Sequence, residues 1–68
     1  MNLDMLKGKL VEKGKTYREG ANAIGCSVGS FNNKMQGRVA FDCSEATTLS
    51  DWLLLTTQEK LDIFLSDN

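Results

Sequence analysis

Leu3, Leu6 and Leu10 recur at helical spacing with charged residues between them, which predicts a first helix over about Leu3–Lys13. Gly14 follows where a left-handed C-terminal cap belongs. Thr16-Tyr17-Arg18-Glu19 has the form of a capping box. It predicts a second helix from Tyr17 to about Ile24, ended by Gly25. Ser27 is an N-cap for a third helix, whose buried face holds Phe31 and Met35 and which Gly37 closes. Asp42-Cys43-Ser44-Glu45 repeats the capping-box pattern and opens a helix with Ala46, Leu49, Trp52 and Leu53 on one side. Thr56-Thr57-Gln58-Glu59 repeats it again and opens a short helix with Leu61, Phe64 and Leu65 inward. The C-terminal pair thus spans about residues 43–65. Three capping boxes and no proline predict an all-α, compact five-helix fold with short loops.

Within this pattern, residues 16–36 have a more particular spacing. Two short helices meeting at a sharp turn need a small residue at their contact, a glycine in the turn and an apolar plug. Ala21, Gly25 and Phe31 supply these in order, which predicts a helix-turn-helix over about 16–36. An ordinary helical hairpin can show the same spacing.

The chain has 68 residues, enough for one domain spanning 1–68. A domain of this size buries only about 60% of its unfolded surface, which favours association with a second copy. Trp52-Leu53-Leu54-Leu55 is the longest apolar run, far short of a membrane span. These four cannot all face one core from a single helix. An apolar patch of Trp52, Leu54, Leu55, Phe64 and Leu65 is therefore expected to form a dimer interface. The alternative is that the last two helices cover each other. Met1-Asn2-Leu3-Asp4 has no signal-peptide character.

Cys26 and Cys43 are expected to be reduced thiols. The sequence contains no histidine, so it offers neither the usual zinc set nor a Cys/His or His-based catalytic pair. The expectation is no enzyme, no cofactor, no metal and no small-molecule ligand.

Net charge is −1, which argues against a polyanion partner, but its distribution is uneven. Residues 7–38 hold Lys7, Lys9, Lys13, Lys15, Arg18, Lys34 and Arg38 against Glu12 and Glu19. From residue 39 on, Lys60 stands against six acidic residues, Asp67 among them. Such a chain can turn a basic face to phosphates and an acidic face away. Two ordinary solvated helix surfaces would look the same.

Leu6-Lys7-Gly8-Lys9, Val11-Glu12-Lys13-Gly14 and Ser30-Phe31-Asn32-Asn33-Lys34-Met35-Gln36-Gly37-Arg38, followed by Phe41 and Glu45, carry a resemblance. Over Leu6 to about Leu65 the chain is similar to the Cro/CI-type (XRE-like) helix-turn-helix repressors of bacteriophages, and within them to the small Cro-like regulators of phages of Gram-positive bacteria. The resemblance implies a five-helix, lambda-repressor-like domain that acts in the cytoplasm of a bacterial host. It implies a homodimer that docks its third helix, about 27–36, in the DNA major groove. It places a phosphate contact at Tyr17, base readers at Val28, Gly29, Asn32 and Asn33, and further phosphate contacts at Ser27, Gln36 and Arg38.

The chemistry suits these roles. An asparagine amide can pair with adenine, and Val28 can pack on a thymine methyl. Lys34, Arg38 and the amides capped by Ser27 can meet phosphates. Val28, three residues before Phe31, fits a core position equally well, and Asn32 and Asn33 fit a solvated surface. Gly20 departs from the family pattern, which has a large apolar residue there. A glycine inside a helix costs about 1 kcal/mol relative to alanine, and the core is expected to be thinner at this point. The acidic net charge predicts binding that is weak or strongly dependent on dimerisation. The alternative function is a protein-interaction module on the same fold, an antirepressor or a polymerase- or repressor-binding protein.

Overall fold

A computed structural model describes residues 1–65, and they form five helices with no strand among them. These are α1 (Leu3–Glu12), α2 (Tyr17–Ile24), α3 (Val28–Met35), α4 (Cys43–Trp52) and α5 (Thr57–Phe64). Asp67 lies outside the described residues.

Each helix starts where a side-chain oxygen accepts from an otherwise unsatisfied first-turn amide. Asn2 caps α1 through Met5 N–H at 3.1 Å, a cap the sequence reading did not identify. Thr16–Glu19, Asp42–Glu45 and Thr56–Glu59 each form both arms of a capping box. The helix ends follow a second rule. Gly14, Gly25 and Gly37 turn the chain with φ of 68°, 76° and 82°, as expected of left-handed caps. After α4 the same place is filled by Leu54 at φ 56°, the one positive-φ residue other than glycine among the described residues.

The helices pack α2 against α3 and α4, and α1 against α5. The Cα radius of gyration is 10.6 Å, close to the roughly 11 Å expected of a compact chain of this length. Leu6, Leu10, Ala21, Phe31, Met35, Leu49, Leu53 and Ile63 are the most deeply buried apolar residues. Edge-to-face rings run through this core, Tyr17–Phe31 at 5.5 Å, Phe31–Phe41 at 6.0 Å and Phe41–Phe64 at 6.0 Å. They tie α2, α3, the following loop and α5 together. Ser50, the one buried polar residue among those described, donates its hydroxyl to Ala46 C=O at 2.7 Å.

Two expectations need correction. The inward residue of α5 is Ile63, fully buried, with Phe64 half-buried; Leu61 and Leu65 are 42% and 72% exposed. The helix is rotated by its link to α1. Asn2 N–H donates to Ile63 C=O at 2.7 Å, and Lys9 ion-pairs with Glu59, one turn before Ile63. The 59/63 edge therefore faces α1, and Leu61 turns outward. Second, the core is not thin at Gly20. A Cβ there would lie 2.6 Å from Phe31 Cζ. The ring reaches in from α3 and fills the space that a large side chain on α2 would take.

Candidate nucleic-acid interface

The interface is built on the α2–α3 unit. Gly25 in the left-handed conformation ends α2, and Cys26 N–H returns to Ala21 C=O at 3.0 Å. Ser27 then starts α3, accepting from Ser30 N–H at 3.1 Å and donating to Ser30 Oγ at 3.0 Å. Three residues thus separate the two helices. Ala21 is fully buried at their contact, and Phe31 lies wholly inside, against Gly20 and Tyr17.

With Phe31 and Met35 inward, helical geometry sends Gly29, Asn33 and Gln36 to the far side, with Asn32 beside them and Val28 beyond Asn32, next to Met35. Val28 is 40% exposed, so it is a surface residue flanking this arc and not core. Asn32 and Asn33 are half-buried; Ser27, Gly29 and Gln36 are exposed. Two side-chain bonds organise the arc. Gln36 Nε2 donates to Asn32 Oδ1 at 3.2 Å, and Arg38 donates a guanidinium N–H to Asn33 Oδ1 at 3.3 Å. The amides are held to one another along the helix and from the turn behind it.

Tyr17 is half-buried, its ring edge-on to Phe31, so it is an aromatic packed at the margin of the core. Lys34 is not on the arc. Its ammonium donates to Glu45 at 3.1 Å and to Ala40 C=O at 3.4 Å, and lies 5.9 Å from the Phe41 ring centroid. Its side chain is only 12% exposed. That position suits a brace between α3 and α4 better than a phosphate contact.

The same theme recurs at Lys9, which is shared between Glu12 and Glu59. Hydrogen bonding to Lys9, reinforced by Thr56 N–H, holds the Glu59 carboxyl down at about 2. Glu59 in turn raises the Lys9 ammonium above its ordinary range. Glu19 is lowered by the Thr16 N–H it accepts from. Two basic residues of the N-terminal half are thus spent inside the fold. Lys7, Lys13 and Arg18 are exposed with no ion pair among the described residues, and Lys15 lies 5.3 Å from the Trp52 ring centroid.

The residues expected at a dimer interface differ in exposure. Leu54 and Leu65 are 79% and 72% exposed. Trp52, Leu55 and Phe64 are half-buried against the core. Phe64 and Leu65 also line a largely apolar groove of about 250 Å³ that opens between α4 and α5, together with Cys43, Ala46, Thr47, Lys60 and Leu61. Sequence reasoning placed Phe64 and Leu65 in an exposed apolar patch but missed the groove, because it assigned Leu61 to the interior and did not place Cys43, Ala46 and Thr47 opposite. Cys26 and Cys43 are free thiols, and no described cluster of acidic or cysteine side chains is arranged to hold a metal ion. No helix among the described residues is long and apolar enough to cross a membrane.

Comparison with protein families, with characterised proteins and with solved structures returned no match to this chain.

Proposed function

We propose that this chain is a sequence-specific, double-stranded DNA-binding regulator of the Cro-like repressor type, a lambda-repressor-like helix-turn-helix domain that reads the major groove with α3. The observation that carries the reading is the arc of Gly29, Asn33 and Gln36 on the far side of α3 from a fully buried Phe31, with Asn32 beside it and an exposed Val28 at its flank. Hydrogen-bonding amides with a mixed donor and acceptor edge are the groups that discriminate base pairs in that groove. Ser27 and the first-turn amides of α3, with Arg38 behind, suit phosphate contacts that set register. Tyr17 flanks them. Lys34 is left out of the contacting set, because Glu45 already holds its charge.

The protein acts as a homodimer in this reading, placing two α3 helices about 34 Å apart on an approximate palindrome. Repression follows by occupancy of the operator in this reading. The test is fluorescence anisotropy of a labelled duplex pool at low and at physiological salt. Binding that weakens with salt, and that competitor DNA removes except from selected sequences, is the expected result. A folded protein that binds no duplex at low salt refutes it.

One observation favours a second reading, a protein-interaction module. The α4–α5 groove, with exposed Leu61 and Leu65 at its rim, is apolar and open. Substitution of Leu61 or Leu65 by a charged residue would abolish such a function and leave the DNA profile intact.

A further inference from the structure

We propose that Arg38 is a positioning residue that fixes which way round the Asn33 amide faces, making Asn33 an adenine reader of fixed orientation beside a reversible Asn32. This rests on the DNA-reading function above. The turn after α3 creates the contact. Gly37, at φ 82°, folds the chain back so that Arg38 N–H donates to the backbone C=O of Asn33 at 3.0 Å. The side chain of the same residue then donates to Asn33 Oδ1 at 3.3 Å. Asn33 is thus engaged by one residue at both its backbone and its side chain.

The two amide pairs differ chemically. A guanidinium has only donors, so the amide it meets must present oxygen. A reversed Asn33 would set N–H against N–H. Gln36 and Asn32 are both amides, and reversing the two together preserves their 3.2 Å bond. Asn33 is therefore locked and Asn32 is not. One lone pair of Asn33 Oδ1 and both amide protons remain available. That is the acceptor-plus-donor edge that matches adenine N6–H and N7, whereas guanine presents two acceptors there. With the lock released, the amide can turn its N–H₂ group to guanine.

The test compares the full-length chain with Arg38→Lys, Arg38→Gln and Arg38→Ala, and with Arg18→Ala as a basic control, by selection from a randomised duplex pool. Lysine keeps the charge and remains donor-only; glutamine is neutral and can donate or accept. Preference for adenine over guanine at one base pair per half-site is expected to fall about tenfold in Arg38→Gln and Arg38→Ala. Arg38→Lys retains it, and Arg18→Ala weakens all sequences alike. In the DNA-free protein, the Asn33 side-chain carbonyl ¹³C shift moves in Arg38→Ala and is kept in Arg38→Lys. If the wild type is selective but Arg38→Gln and Arg38→Ala lose affinity equally for every sequence and keep the adenine preference, Arg38 acts as a phosphate ligand alone and the proposal is overturned. An Asn33 shift unmoved by Arg38→Ala overturns the contact itself. A wild type that selects no sequence refutes the DNA reading, and Asn33 as a reader with it, whatever the shift shows.

Discussion

Adding one methyl group at Gly20 and one at Gly8 should move stability in opposite directions. Both glycines lie inside helices, α2 and α1, where replacement by alanine gains about 1 kcal/mol of helix propensity. At Gly8 a Cβ meets nothing within 4 Å, so that gain stands alone. At Gly20 the new Cβ would sit 2.6 Å from Phe31 Cζ and 3.0 Å from both Cε atoms. Phe31 is fully buried, with the Tyr17 and Phe41 rings at 5.5 and 6.0 Å, and it is rigid beyond its two torsions. Retreat means moving α3 away from α2. Overpacking of this kind costs about 1–3 kcal/mol. The net expectation is a loss of about 1 kcal/mol for Gly20→Ala and a gain of about 1 kcal/mol for Gly8→Ala.

Reversible denaturant unfolding followed by circular dichroism measures both. In a domain of this size each kcal/mol corresponds to about 4–8 °C in Tm. The clash has a further signature. Phe31→Leu removes the ring atoms that the new Cβ meets, so it should cost less in the Gly20→Ala background than in the wild type. A Gly20→Ala protein stabilised as much as Gly8→Ala would show that the ring has room to move, and the account of Gly20 given above would fail.

Other outcomes follow from the same structure. Leu54 holds a left-handed conformation with its side chain 79% exposed, so Leu54→Gly should stabilise the monomer by up to about 1 kcal/mol in a thermal melt. Lys34→Met should lower stability while leaving the slope of log affinity against log salt unchanged, whereas losing a true phosphate contact reduces that slope by about one. Glu59, with a folded value of about 2 against an ordinary 4.5, contributes stability that is complete above 4.5 and is lost as pH falls through 2. Lys9, raised above 10.5, contributes stability that is complete below that value and is lost at higher alkalinity. Glu59→Gln should therefore flatten the acid limb of a stability–pH profile between those two values, while an unchanged limb would locate the acid sensitivity elsewhere.

The helix starts were legible because capping is local. Thr16, Ser27, Asp42 and Thr56 each bind an amide three residues on, and those oxygens, with the glutamate partners of all but Ser27, stand in plain sequence order. The αL glycines were legible for the same reason. What sequence did not reveal depends on contacts between helices. Nothing local says that Glu59 meets Lys9, fifty positions earlier in the chain, or that this rotates Ile63 inward in place of Leu61. Gly20 read as a deficit because its partner, Phe31, lies on the next helix. In the candidate interface the exposed face of α3 was legible from the Phe31 and Met35 spacing. The role of Lys34 was not, since a lysine directly after two asparagines reads as a surface charge until Glu45 is found beside it.

Those two long-range ion pairs also bear on the uneven charge of the chain. Lys9 meets Glu59 and Lys34 meets Glu45, so each pair joins a basic residue of the first half to an acidic residue of the second. Glu45 and Glu59 are also the far arms of the capping boxes of α4 and α5. One carboxylate therefore starts its helix and clamps it to α1 or α3. This assigns part of the acidic C-terminal half to assembly of the fold, and it removes two ammonium groups from any count of charges facing DNA. The basic side chains left exposed, Lys7, Lys13, Arg18 and Arg38, are few. With few phosphates to neutralise, each copy would have a shallow salt dependence, and specificity would fall chiefly on the amides of α3 and on pairing two copies on one site.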